Sequence, residues 1–177
     1  MYKILKLGDY FNNICFCEKK DIRKGELTDY GSSLPIEALQ LGYKKFKDIP
    51  FFLEKKTDSS FDNMFFFNQR LFINEYIKKI HFLGISNSDG DMYDYLNIYS
   101  FKNKLVKKIG FPSMLSEKPL YDEKIFFNYP FFYTKKGKSF IAKPSIWYTF
   151  IEINDFIYFI DFPDNPIMHL FSITLEI

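Results

Sequence analysis

Polar and apolar residues alternate from Tyr2 to Leu7, and after the turn-forming run Gly8–Asn13 a second apolar stretch, Ile14–Cys17, follows. This pattern predicts a β-hairpin at the start of the chain. Glu18–Ser33 is charged, contains Gly25 and Gly31, and reads as a surface loop. Ser33 ahead of Pro35 predicts a capped helix burying Leu34, Ala38, Leu41 and Phe46. Ile49–Leu53 reads as a short strand before the solvated segment Glu54–Ser60. Across Met64–Ile80, Phe65, Phe72, Tyr76 and Ile80 recur at three-to-four spacing, with Leu71 and Ile77 beside them. Asn68, Gln69, Asn74, Lys78 and Lys79 fall elsewhere, so the spacing predicts an amphipathic helix.

A polar turn, Ser86–Asp91, leads into Met92–Tyr99, which alternates as a strand with Tyr93, Tyr95 and Tyr99 on one side and Leu96 and Ile98 on the other. Ser100 then reads as the N-cap of a helix burying Phe101, Leu105, Val106 and Ile109 and ended by Gly110 and Pro112. Ile125–Tyr133 and Ser139–Lys143 are expected to pair around Lys135–Lys138, with Pro130 confining the first to an edge or bulge. Ile146–Ile153 and Phe156–Phe162 read as a hairpin turning at Asn154-Asp155, and His169–Ile177 as a final strand. The expectation is an α+β fold in a single domain over residues 1–177: a mainly antiparallel sheet, two to three packing helices and a C-terminal β-meander.

Composition changes this picture in one respect. Aromatic residues make up 21% of the chain, with 23 Phe and 13 Tyr, while Val occurs once and Ala twice. Phe, Tyr, Ile, Lys and Asn share A/T-rich codons, so an A/T-rich genome accounts for the bias, and most rings are core material. The net charge of +2 supplies no field that would imply nucleic acid or an anionic membrane as partner. No apolar run approaches the roughly 20 residues of a membrane helix, and the start lacks a signal-peptide core. With Cys15 and Cys17 flanking Phe16 as the only thiols, the reading is a reduced, cytoplasmic protein.

Candidate chemistry is sparse. Gly137-Lys138-Ser139 ends like a phosphate loop, but Phe132 stands where the first glycine is required, so a hairpin turn is expected. Asp89-Gly90-Asp91 is acid-rich, yet an EF-hand would put Ile85 and Leu96 at ligand positions. His81 and His169 are the only imidazoles, and a small enzyme using either is one alternative. Lysines at 44–47, 102–108 and 135–138 beside aromatics make single-stranded nucleic-acid binding another, though only Arg23 and Arg70 could fork onto phosphate. The sequence assigns no catalytic residue, metal or cofactor.

Charge is segregated along the chain. Residues 144–177 contain no Lys or Arg and carry −5, leaving +7 on the remainder. An acidic sheet exposing aromatics is expected to attract a basic protein, with Trp147, Tyr148 and Tyr158 as anchors and Glu152, Asp155, Asp161 and Asp164 steering the encounter. The alternative is that these acids pair with lysines on neighbouring strands. The opening Met1–Leu7, the segment Phe67–Ile77 and the strand Tyr93–Ile98 together resemble small bacterial immunity proteins of polymorphic-toxin systems. The resemblance implies a helix over Phe67–Ile77 and a non-enzymatic, cytosolic inhibitor that occludes a cognate toxin; it transfers no functional residue.

Overall fold

The computed structural model describes every residue except 57, 58, 89, 91 and 120, and among the described residues the only helical elements are two 3₁₀ segments, Gly8–Tyr10 and Lys19–Lys24. The strands are β1 (Tyr2–Ile4), β2 (Phe16–Cys17), β3 (Leu34–Pro35), β4 (Gly42–Phe46), β5 (Ile49–Leu53), β6 (Met64–Phe67) and β7 (Arg70–Ser86). They continue as β8 (Met92–Ser100), β9 (Lys104–Phe111), β10 (Lys124–Asn128), β11 (Phe132–Thr134), β12 (Gly137–Ser139), β13 (Ser145–Asp161) and β14 (Asp164–Glu176). The expected α+β class is therefore corrected to a sheet-dominated one. Asp89 and Asp91, the acids of the calcium-like motif, lie outside the described residues.

The main sheet runs β1-β14-β7-β13-β8-β9, with β6 added to β14 and β10 added to β13. Its axis is the pair of 17-residue strands β7 and β13. Their shared half is covered on both faces, which explains why it reads as a nearly continuous apolar run. Ile80, Phe82, Trp147 and Leu170 enter one core, while Leu83, Ile85, Ile146, Tyr148 and Phe171 enter the other. The second core is completed by Phe16, Leu27, Leu34 and Phe51 of the N-terminal segments. Each fully buried Leu, Ile or Phe contributes ~1.5–3 kcal/mol of transfer free energy. Around the first core the sheet curls until the end of β9 meets β7: Ser113 bridges Ser86, and the Met114 N–H donates to the Ser86 carbonyl at 2.7 Å. Asn165 Nδ2 donates to Asp94 Oδ2 at 2.9 Å, tying β14 to β8.

Each predicted helix fails for a local reason. Over 64–80, Asn68 and Asn74 adopt left-handed φ of 57° and 55°, making a turn and a bulge. They break the period-two alternation, so of the positions that suggested a helical face Leu71, Ile77 and Ile80 are buried while Phe72 and Tyr76 are exposed. At Ser100 the hydroxyl accepts the N–H groups of Lys102 and Asn103, both at 3.2 Å. This is the hydrogen-bond pattern of a helix cap, used here in the turn between β8 and β9. Leu34–Pro35 is a strand parallel to Phe16–Cys17, and Gly42–Phe46 pairs with Ile49–Leu53.

The opening hairpin is also replaced, because β1 pairs with β14 at the far end of the chain. Glu18–Ser33 is not purely surface, since Leu27 and Ser33 are fully buried. Asn154 at φ 57° is a bulge within continuous β13 rather than a hairpin turn, and β7 separates β13 from β14, so no C-terminal meander forms. The strands at 49–53 and 92–99 are present, but the expected pairing of 125–133 with 139–143 is not: β10 pairs with β13, and the turn after Thr134 joins only the short β11 and β12, the latter being the Gly-Lys-Ser segment. No helix among the described residues is long and apolar enough to cross a membrane.

Candidate functional site

The half of the sheet that the N-terminal segments leave uncovered carries the most distinctive surface. Alternation sends Leu71, Ile160, Ile98 and Leu105 inward, so their neighbours face out. Strand register then aligns Phe72, Phe159, Tyr99 and Lys104 as one cross-strand row over β7, β13, β8 and β9. The next row is Arg70, Asp161, Asn97 and Val106, and the third pairs Tyr95 with Lys108. Phe72, Tyr95 and Val106 are 62%, 50% and 58% exposed, an unusual concentration of apolar surface for consecutive rungs.

The rings and cations of this face hold one another in place. Tyr99 stacks on Phe159 with centroids 4.4 Å apart and planes at 26°. The Arg70 guanidinium lies 4.0 Å from the Phe159 centroid and donates two hydrogen bonds to Asp161, at 2.7 and 2.9 Å. Lys108 sits 3.8 Å from the Tyr93 centroid and donates to the Tyr121 hydroxyl at 2.8 Å. These contacts preorganise the surface and occupy the ring faces of Phe159 and Tyr99.

The predicted acidic surface does not assemble in this form. Trp147 is fully buried in the core inside the curl and Tyr148 in the other core, because both faces of their half of β13 are covered. The expectation that these two rings are exposed anchors is thereby corrected. Glu152 lies opposite Lys79 and pairs with it at 3.0 Å, and Asp161 pairs with Arg70. Asp155 accepts the N–H of Phe156, while Asp164 and Tyr158 are exposed. Antiparallel pairing sets the cations of β7 against the acids of β13, so charge segregated along the chain is mixed in space.

The two histidines occupy different environments. His81 Nδ1 is 2.9 Å from the Tyr148 hydroxyl, and its Nε2 faces Glu176 at 3.5 Å, a contact too long for a well-formed hydrogen bond. Burial lowers the His81 pKa and pushes the Tyr148 phenol up to about 12, the reverse of nucleophile activation. His169 is 1% exposed and lies between Asn63 and Asn87, and burial drives its pKa down to about 3. Cys15 and Cys17 are buried free thiols whose pKa values burial raises, which makes them poor nucleophiles. No family model matches the chain, and no curated protein matches it.

The sequence grouped Tyr93, Tyr95 and Tyr99 on one strand face by alternation. It missed Phe72, Phe159 and Arg70, whose place beside them depends on long-range register.

Proposed function

We propose that the protein is a non-enzymatic, protein-binding inhibitor of the immunity type, acting in the cytoplasm by docking its open aromatic sheet face over the working surface of a cognate toxin. The observation that carries this reading is the Phe72–Phe159–Tyr99 row with Arg70 packed on it, in the aromatic-and-arginine chemistry favoured at the centres of protein interfaces. The segment Tyr93–Ile98, one of those resembling immunity proteins, lies within β8 of this face. Phe67–Ile77 is the end of β6, a turn and the start of β7 rather than a helix, so that part of the resemblance gives no support. Lys104 and Lys108 flank the rings, and they fit a partner with an acidic rim.

Single-stranded nucleic acid is the less favoured occupant. Stacked bases need free ring faces, and Phe159 and Tyr99 have theirs engaged by each other and by Arg70.

The test begins with the gene neighbourhood: a toxin-like reading frame adjacent to the gene for this chain is expected, its product serves as the binding partner, and a metabolic operon there overturns the proposal. The wild-type protein is expected to bind that product stoichiometrically and restore growth to cells expressing it. The variant F72D/Y95D is expected to lose both effects while retaining the wild-type melting temperature. Undiminished binding by the variant, or tight salt-sensitive binding of single-stranded RNA by the same face without affinity for the toxin, overturns the proposal.

A further inference from the structure

We propose that the cavity beside the turn Thr28–Ser32 is a binding site for a small amphipathic cation, an ammonium or amidinium head on an aromatic or aliphatic body. The cavity measures about 430 Å³ and is bounded by this turn, the residues after β7, the Met114–Leu115 segment and Pro166–Ile167 of β14. This volume lies within the roughly 300–1,000 Å³ typical of small-molecule sites.

Its polar end is built to accept hydrogen bonds. The Asn87 side chain approaches the Leu27 carbonyl at 2.6 Å, and only an N–H can face that oxygen, which fixes the amide orientation. The other N–H is directed to His169 Nε2 at 3.2 Å. His169 Nδ1 therefore carries the ring proton and donates it to Asn63 Oδ1 at 2.9 Å. With both amide donors directed inward, Asn87 Oδ1 is the group left to meet a ligand. The Ser88 hydroxyl donates to the Gly90 carbonyl, and Thr28 Oγ1 accepts the Ser32 N–H. Asp29 lines the cavity and makes no ion pair among the described residues. Lys135 passes over Gly31 of the same turn, yet among the described residues it pairs with no carboxylate, and it does not line the cavity.

The remaining walls are apolar. Met114 and Phe132 are buried at the base, whereas Tyr30 and Ile141 line the cavity at 88% and 87% exposure. Acceptors at one end and rings and methyls elsewhere select a ligand with a donor-rich cationic head and an apolar body. An anion of the same shape would meet the Asp29 carboxylate and Asn87 Oδ1, with only the neutral hydroxyls of Thr28, Tyr30 and Ser32 lining the cavity to offset the repulsion.

Tryptamine, titrated by isothermal calorimetry and ligand-observed NMR at pH 7, is the probe, with indole-3-acetate as its anionic counterpart. Saturable binding of tryptamine is expected, with indole-3-acetate weaker by at least about tenfold and D29N weakening tryptamine by about tenfold. Leu115→Trp, which fills the cavity from an exposed position, is expected to abolish binding while the far-UV spectrum stays unchanged. Absence of saturable tryptamine binding, equal affinity for the two probes, or affinity unchanged in both variants overturns the proposal.

Discussion

Asp62 and His169 are coupled through a single side chain: Asn63 donates to Asp62 Oδ1 at 3.0 Å and accepts from His169 Nδ1 at 2.9 Å. Burial pushes the Asp62 carboxyl up to about 7, even though it accepts the N–H groups of Cys15 and Phe16, and it pushes His169 down to about 3. The two shifts act on stability with opposite sign. Between about pH 4 and 7 the folded protein holds an Asp62 proton that the unfolded chain has released, so stability falls as pH rises. Between about pH 3 and 6.5 the unfolded chain binds a His169 proton that the folded protein refuses, so stability rises with pH.

Each slope reaches about 1.4 kcal/mol per pH unit, and they cancel over the shared window. Urea unfolding of the wild type is therefore expected to show little contribution from this pair between pH 4.5 and 6.5. His169→Gln should expose the Asp62 slope and lose about 3 kcal/mol over that interval relative to wild type. Asp62→Asn should expose the His169 slope and gain a similar amount. His81, whose pKa burial also lowers, forms a background common to all three proteins. Parallel pH profiles for wild type and both variants would contradict the assignment.

Gly84 is fixed by space rather than by backbone conformation. A Cβ there would lie 2.3 Å from Phe111 Cζ and 2.7 Å from the His169 carbonyl, where β9 curls onto β7 and β14. Gly84→Ala is expected to destabilise by about 2–3 kcal/mol in urea unfolding, because a packed ring and a strand backbone must both move. Adding Phe111→Leu should recover part of that loss and make the double variant less than additive. Strict additivity would mean that the ring is not the obstruction.

Asn154 illustrates what the sequence could and could not reveal. Its left-handed conformation is legible, since Asn-Asp is turn chemistry, but a turn and a bulge need the same residue and differ only in where the next strand pairs. Local alternation therefore located Met92–Tyr99 and Ile49–Leu53, while bulges at Asn74 and Asn154 shifted its phase elsewhere. The pairing of β1 with β14, 170 residues apart in register at Ile4 and Thr174, left no local trace. The same limit applies to the open face, where Tyr93, Tyr95 and Tyr99 are grouped by one strand but Phe72 and Phe159 only by register. Asn154→Gly is expected to leave stability within about 0.5 kcal/mol of wild type, whereas Asn154→Val should cost about 1–2 kcal/mol for its left-handed backbone. A hairpin-turn role would instead change the β13–β7 pairing, which amide exchange along Phe156–Ile160 would register.

Strand β9 gives the lysines at 102–108 a structural role independent of any ligand. It ends the strand order of the main sheet, so its outer backbone edge has no neighbouring strand in that order. Such an edge templates association unless charge discourages it, and lysine is the usual guard. Lys104 and Lys108 project from this strand on the open face, either side of exposed Val106. Replacing both with Val would leave a β-branched edge beside an aromatic sheet, the combination most prone to strand addition. K104V/K108V is expected to show concentration-dependent self-association in sedimentation velocity, and K104E/K108E to stay as dispersed as wild type. The glutamate pair should also weaken a partner with an acidic rim, separating guarding from recognition: solubility follows charge of either sign, whereas partner binding follows positive charge alone. A valine variant with wild-type sedimentation at high concentration would remove the guarding role.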